Sequence, residues 1–120
     1  MSVQSVGKQF VDWCNQGRNF DVMRTMYAPD IVSVEGDGKE TAGQQRVIKK
    51  SEDWAAANDF HGEKVLGPYF NGPNQFAVHF TLDVTRKATG KRTSLQEVAV
   101  YTVNGEDKIT REAFYYDGEH

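Results

Sequence analysis

From Ser2 to Gln16 the apolar residues Val3, Val6, Phe10, Trp13 and Cys14 recur at intervals of three and four, the spacing that lines one face of an α-helix. Gly17 closes that pattern. Asn19 stands where it can cap a short second helix carrying Phe20, Met23, Met26 and Tyr27, and Pro29, which has no amide proton, is expected to stop it. "DIVSVE" (30–35) reads as a short strand. Beyond the Gly-rich "GDGKETAG", the positions Val47, Ile48, Ser51, Trp54, Ala55 and Asn58 mark a third helical face.

From Phe60 onward the period changes to two. Four extended segments follow, roughly 60–70, 75–86, 92–103 and 108–116, divided by "NGPN", "KATGK" and "NGED", in which Asn and Gly supply the positive φ of tight hairpins. Helices followed by an antiparallel meander define an α+β domain, in which the sheet buries its apolar face under the helices. A chain of 120 residues is one domain and large enough to hold a core without disulfides.

Charge narrows the classes of function. The formal net charge is −3 and the basic residues are scattered, so there is no basic face for nucleic acid. A single cysteine, Cys14, excludes a disulfide framework and points to a reducing compartment, with cytoplasm the expected location. No segment approaches the ~20 apolar residues needed to cross a bilayer, and the first ten residues do not read as a targeting signal. No spaced His and Cys set suggests a metal, and no Gly-rich loop following a strand suggests a nucleotide, so no cofactor is expected.

The order of elements, with "FVDWCNQGRNFDVMRTMYAPDIVSVEGDG" in front and "TGKRTSLQEVAVYTVNGEDKITREAFYYD" behind, resembles the nuclear transport factor 2-like superfamily, and within it the SnoaL-like group related to polyketide cyclases and ketosteroid isomerases. The resemblance covers essentially the whole chain. It implies three N-terminal helices packed on a curved, mainly antiparallel sheet around a cone-shaped cavity, commonly in a homodimer built on the sheet's outer face. By the isomerase pattern, Glu35 takes the place of the general base. Phe10 and Ala99 stand where that pattern has the two donors to the oxyanion, and losing one such donor typically costs ~10²–10³ in rate. Steroid isomerisation by that constellation is therefore not expected.

If the Ala99 position faces the cavity, alternation brings Leu95, Glu97, Tyr101 and Val103 to the same side, with Thr110, Glu112, Phe114 and Tyr116 joining them from the last strand. In the segment 76–84, Phe76, Val78, Phe80, Leu82 and Val84 form the buried choice, which sends His79 and Asp83 to the convex face with Val98, Val100, Ile109 and Tyr115. A convex face so apolar reads as a subunit interface. The register of the "KATGK" hairpin decides this, because a slip of one residue exchanges the two faces.

The candidate proton-transfer groups are Glu35, Glu97 and Glu112, since carboxylates in an apolar pocket have raised pKa values suited to acid/base work near neutrality; pairing with Arg92, Lys108 or Arg111 is the alternative. Trp13, Tyr27, Trp54, His61, Tyr101, Phe114 and Tyr116 are the candidate ligand contacts, and the same aromatic side chains also serve as core. The expected function is a hydrophobic pocket for a small carbonyl-bearing or aromatic molecule, with cofactor-free isomerase, cyclase, dehydratase or hydrolase chemistry. The alternative is a non-catalytic ligand-binding or dimerisation module.

Overall fold

The computed structural model describes residues 2–118, and its first helix, α1 (Val3–Asn15), lies where the apolar spacing predicts it. Ser2 caps it, with its Oγ accepting from the Ser5 amide at 3.3 Å while Ser5 Oγ accepts from the Ser2 amide at 3.0 Å. Val3, Val6, Phe10 and Cys14 are buried along one stripe. Each such large apolar side chain, fully buried, contributes roughly 1.5–3 kcal/mol.

Helix α2 (Asn19–Met26) is shorter than the apolar pattern suggests, because Tyr27 is already extended and opens β1 (Tyr27–Val34). Pro29 therefore sits inside a strand and does not act as the helix stop. It is tolerated there because the pairing of β1 shifts register between Tyr27 and Val32, where no ladder amide is demanded. Asn19 is the first helical residue and not the cap; its side-chain amide donates instead to Glu63 at 3.0 Å. The Gly-rich stretch contains a short strand, β2 (Glu40–Ala42), before α3 (Gln44–Ala56). Four long strands complete the chain: β3 (Asn58–Asn71), β4 (Gln75–Arg86), β5 (Arg92–Val103) and β6 (Ile109–Tyr115).

These strands form one six-stranded mixed sheet in the order β2-β1-β6-β5-β4-β3, antiparallel throughout except for the parallel β1–β6 pair. The described residues thus make an α+β fold of three helices on a mixed sheet. Two of the helices precede β1; the third follows β2.

The β4–β5 hairpin pairs His79 with Val98 and Asp83 with Ser94, and this register sends Phe76, Val78, Phe80, Leu82 and Val84 inward. His79 and Asp83 lie on the opposite face, where His79 meets Gln96 at 3.1 Å and Asp83 takes both prongs of Arg92 at 3.0 and 2.9 Å. On β5, Leu95, Ala99, Tyr101 and Val103 are buried while Val98 is exposed. One residue departs from simple alternation. Between Thr102–Arg111 and Val103–Ile109 the β5–β6 register shifts, making Thr110 an extra residue. Ile109, expected on the convex face, consequently turns into the core with 0% exposure.

Candidate functional site

Between the inner face of the sheet and the three helices lies a cavity of about 770 Å³. Its floor is aromatic: Phe10 of α1 lies 4.5 Å from Tyr101 of β5, and Tyr27 of β1 lines the same end. Phe80 and Leu82 of β4, Phe114 of β6 and Phe20 and Met23 of α2 form the walls. Trp54 of α3 meets Phe60 of β3 edge-on at 5.2 Å, and both line the cavity.

Into this apolar surround the sheet projects four glutamates. Glu97 comes from β5 and Glu112 from β6, Glu63 from β3, and Glu35 follows the last residue of β1. Glu97 is half-buried, and its carboxyl is pushed up to about 7, first by burial and then by repulsion from Glu35, Glu112 and Glu63. Glu112 is fully buried, and burial raises it above the ordinary carboxylate range, opposed by hydrogen bonds from Tyr27 and Ser33. Glu63 is raised by the same desolvation; one of its oxygens takes the Asn19 amide, and the other is buried without a hydrogen-bond partner among the described residues.

Among the described residues, Lys50 is the lysine that lines the cavity beside these carboxylates. Lys50 Nζ donates to Glu35 at 2.6 Å and to Ser33 Oγ at 2.7 Å, and it lies 5.7 Å from the Phe114 ring centroid. Ser33 Oγ accepts from Lys50 through one lone pair and donates its own proton to Glu112, a bond that favours the ionised carboxylate. Tyr27 Oη donates to the other side of Glu112 and shares a hydrogen bond with Tyr101. At the other end Tyr116 Oη donates to Glu35 at 3.3 Å. A continuous chain thus runs Tyr101, Tyr27, Glu112, Ser33, Lys50, Glu35, Tyr116, from the buried floor to the half-buried end of β1.

The local backbone makes this possible. Gly36 lies directly under the Tyr116 ring, and a Cβ there would come within 2.8 Å of it, so only glycine lets the ring lie across the chain beside Glu35.

Of the residues singled out from sequence, Glu35, Glu97, Glu112, Tyr27, Trp54, His61, Tyr101, Phe114 and Tyr116 all line this one cavity. His61 sits exposed on β3 with Nε2 2.7 Å from Thr85 Oγ1. Trp13 is not brought there: its ring packs partly on the core and lies under the Arg18 guanidinium at 4.1 Å. Phe10 and Ala99 are buried, so the two donor positions of the isomerase pattern are apolar core. Sequence reasoning missed Lys50, Ser33 and Glu63. For Lys50 a signal was present, since it falls three residues after Val47 and four before Trp54 on the inward face of α3.

The chain belongs to the SnoaL-like domain family, whose model matches residues 1–116. A provisionally named SnoaL-like polyketide cyclase (carbohydrate phosphatase) from Mesorhizobium loti has 39% identity, covering 97% of this chain and all of that one, and superposes with a TM-score of 0.91. The Mycobacterium tuberculosis protein Rv0760c, solved with estradiol-17β-hemisuccinate, is 20% identical over 98% of this chain and 95% of its own, with a TM-score of 0.75. A computationally designed 17-OHP binder is 18% identical over 98% and 95%, with a TM-score of 0.73. No curated protein matches the chain.

Proposed function

We propose that the cavity binds a small apolar molecule and that Glu97 moves a proton to and from it, without a cofactor. The observation that carries this reading is the placement of Glu97: a half-buried carboxyl on an open, aromatic-lined cavity, its pKa pushed up to about 7. A group that titrates near the working pH is abundant in both protonation states, the condition for efficient general acid/base transfer. Fold neighbours that hold steroid-like molecules support a cavity of this kind as a ligand site.

In a proton-shift reaction on a carbonyl compound, the C–H bond next to the carbonyl breaks and its proton goes to the Glu97 carboxylate. Negative charge then gathers on the carbonyl oxygen. With Phe10 and Ala99 unable to donate, the group suited to that charge is the Tyr101 hydroxyl, which lies beside Tyr27 at the buried end of the cavity. Glu97 returns the proton to a second carbon, completing an isomerisation. Glu35 is held by Lys50, which favours a supporting role for it over that of the base.

The test is hydrogen exchange from a panel of cyclic and aromatic ketones in D₂O, followed by NMR. Exchange accelerated by the protein and lost in Glu97→Gln supports the reading. Binding without exchange assigns the cavity to a non-catalytic binding module instead.

We further propose a homodimer through the convex face. Leu66, His79, Val98 and Tyr115 pair in one row across β3, β4, β5 and β6, and Leu66, Val98 and Tyr115 are 41%, 40% and 60% exposed. Val100, flanked by Ala77 and Ala113, lies in the same face one pair along. Pairing with a second copy covers this apolar row.

A further inference from the structure

Glu63 enters the cavity from β3 on the inward face, since it pairs with Leu82 of β4 while Val65, two residues on, pairs with Phe80. Its surroundings hold it in place. Asn15 of α1 clamps the backbone of Val65, donating to the carbonyl at 3.0 Å and accepting from the amide at 2.9 Å, and Asn19 of α2 donates to Glu63 Oε2 at 3.0 Å. Oε1 is left buried, with no hydrogen-bond partner among the described residues.

A buried polar atom without a partner is costly, and native proteins keep few of them. Fastening α1 to β3 does not account for this one, because Asn15 already does so. Packing does not account for it either, since an apolar side chain fills the same place without that cost. The torsion that sets the plane of a glutamate carboxyl is soft, so a small turn presents Oε1 to the cavity that Glu63 lines. A ligand group there supplies the missing partner.

Chemistry narrows what that group is. A hydroxyl donates to a carboxylate and accepts from a carboxylic acid, so it fits Glu63 in either form, whereas a carbonyl or ether oxygen fits the acid alone. Position narrows it further. Glu63 and Glu97 lie two strands apart and two residues out of step, which places their Cα atoms about 12 Å from each other. A contact of about 3 Å at either end leaves roughly 6 Å for the ligand between them.

We propose that Glu63 is a specificity-determining residue, selecting a cyclic ketone that carries a hydroxyl roughly 6 Å from the carbon beside the carbonyl and holding that hydroxyl. This rests on the reading of the cavity as the site of a carbonyl compound and names which kind it takes.

Three ketones with one skeleton test this by calorimetric titration. In 6-hydroxy-2-tetralone the hydroxyl stands across the ring from that carbon, in 8-hydroxy-2-tetralone it stands close beside it, and 6-methoxy-2-tetralone cannot donate. The first is expected to bind on the order of tenfold more tightly than either companion. Glu63→Met should remove that advantage while leaving the companions' affinities within about twofold, whereas a carboxyl that only braced the fold would weaken all three alike. In the wild-type protein the ¹³C carboxyl resonance of Glu63 should move most with 6-hydroxy-2-tetralone, a readout that stands even if the variant misfolds. Equal binding of the two hydroxy isomers, or tightest binding of the methoxy compound, overturns the inference while leaving the cavity a ligand site. An advantage that survives in Glu63→Met overturns it as well. Binding of none of the three overturns both.

Discussion

Tyr27 and Glu112 stand 85 residues apart in sequence, yet the tyrosine hydroxyl donates directly to the glutamate carboxyl in the buried end of the cavity. The contact exists because β1 and β6 are neighbours in the sheet, with Ser33 of β1 paired to Glu112. Removing the donor leaves a buried acceptor short of a partner, which typically costs about 1–3 kcal/mol. Tyr27→Phe is therefore expected to lower stability in urea by about that amount with the slope unchanged, since no cavity of consequence is made. A loss under half a kilocalorie per mole would mean that Glu112 is satisfied without Tyr27.

Glu97 makes folding stability depend on pH in an uncommon direction. Its folded pKa lies at about 7, above the ordinary 4.5, so the folded protein binds a proton that the unfolded chain has released across that window. Stability is therefore greatest below the unfolded value and declines as pH rises through the folded one, by at most roughly 3 kcal/mol if Glu97 acted alone. Glu97→Gln removes this decline, so the variant should be the more stable protein near pH 8 and differ little near pH 5. Denaturation curves at both pH values check the sign.

Lys50 opposes the rise in Glu97, because its ammonium favours the ionised carboxylate that the surrounding glutamates disfavour. Lys50→Met should push the Glu97 midpoint higher still and release Glu35 from its ion pair. Carboxyl ¹³C shifts would register both changes in one titration; an unmoved Glu97 would place Lys50 outside its field.

Gly36 and Tyr116 are coupled by contact. Gly36→Ala forces the ring aside, at a cost of about 1 kcal/mol, the low end of overpacking, because the atoms displaced are the outer end of a half-exposed side chain. In a Tyr116→Ala background that cost should largely vanish, and the double-mutant cycle measures the coupling directly. Additive losses would show that the glycine matters for the backbone alone.

The convex row offers a clean test of assembly. Val98→Glu changes an exposed side chain and leaves the core intact, so circular dichroism should be unchanged while sedimentation shifts from dimer to monomer. Identical sedimentation of the two proteins would remove this face as the dimer surface.

Much of this arrangement was legible in the chain. The period-two runs of β4 and β5 carry their inward sets faithfully because one face of each strand is buried, and a slipped register would expose five apolar side chains of β4. The α1 stripe was equally plain. Ile109 was not, since the extra residue at Thr110 resets the count of β6 and leaves no mark in the hydrophobic pattern. Pro29 misled the reading of Tyr27 because proline ends helices and also tolerates irregular strand positions. Glu63 escaped because β3, an edge strand with shifts after Phe60 and Leu66, does not alternate cleanly. Its partner Asn19 is 44 residues away, a pairing no local pattern encodes.

The most direct test of the account is a ¹³C carboxyl NMR titration of Glu97, assigned by comparison with Glu97→Gln. The proposed role predicts a midpoint of about 7 that rises further when an apolar ligand fills the cavity and displaces water from the carboxyl. A midpoint near the ordinary 4.5, unmoved by ligand, would contradict it, for Glu97 would then be a solvated carboxylate with no proton to exchange near neutral pH.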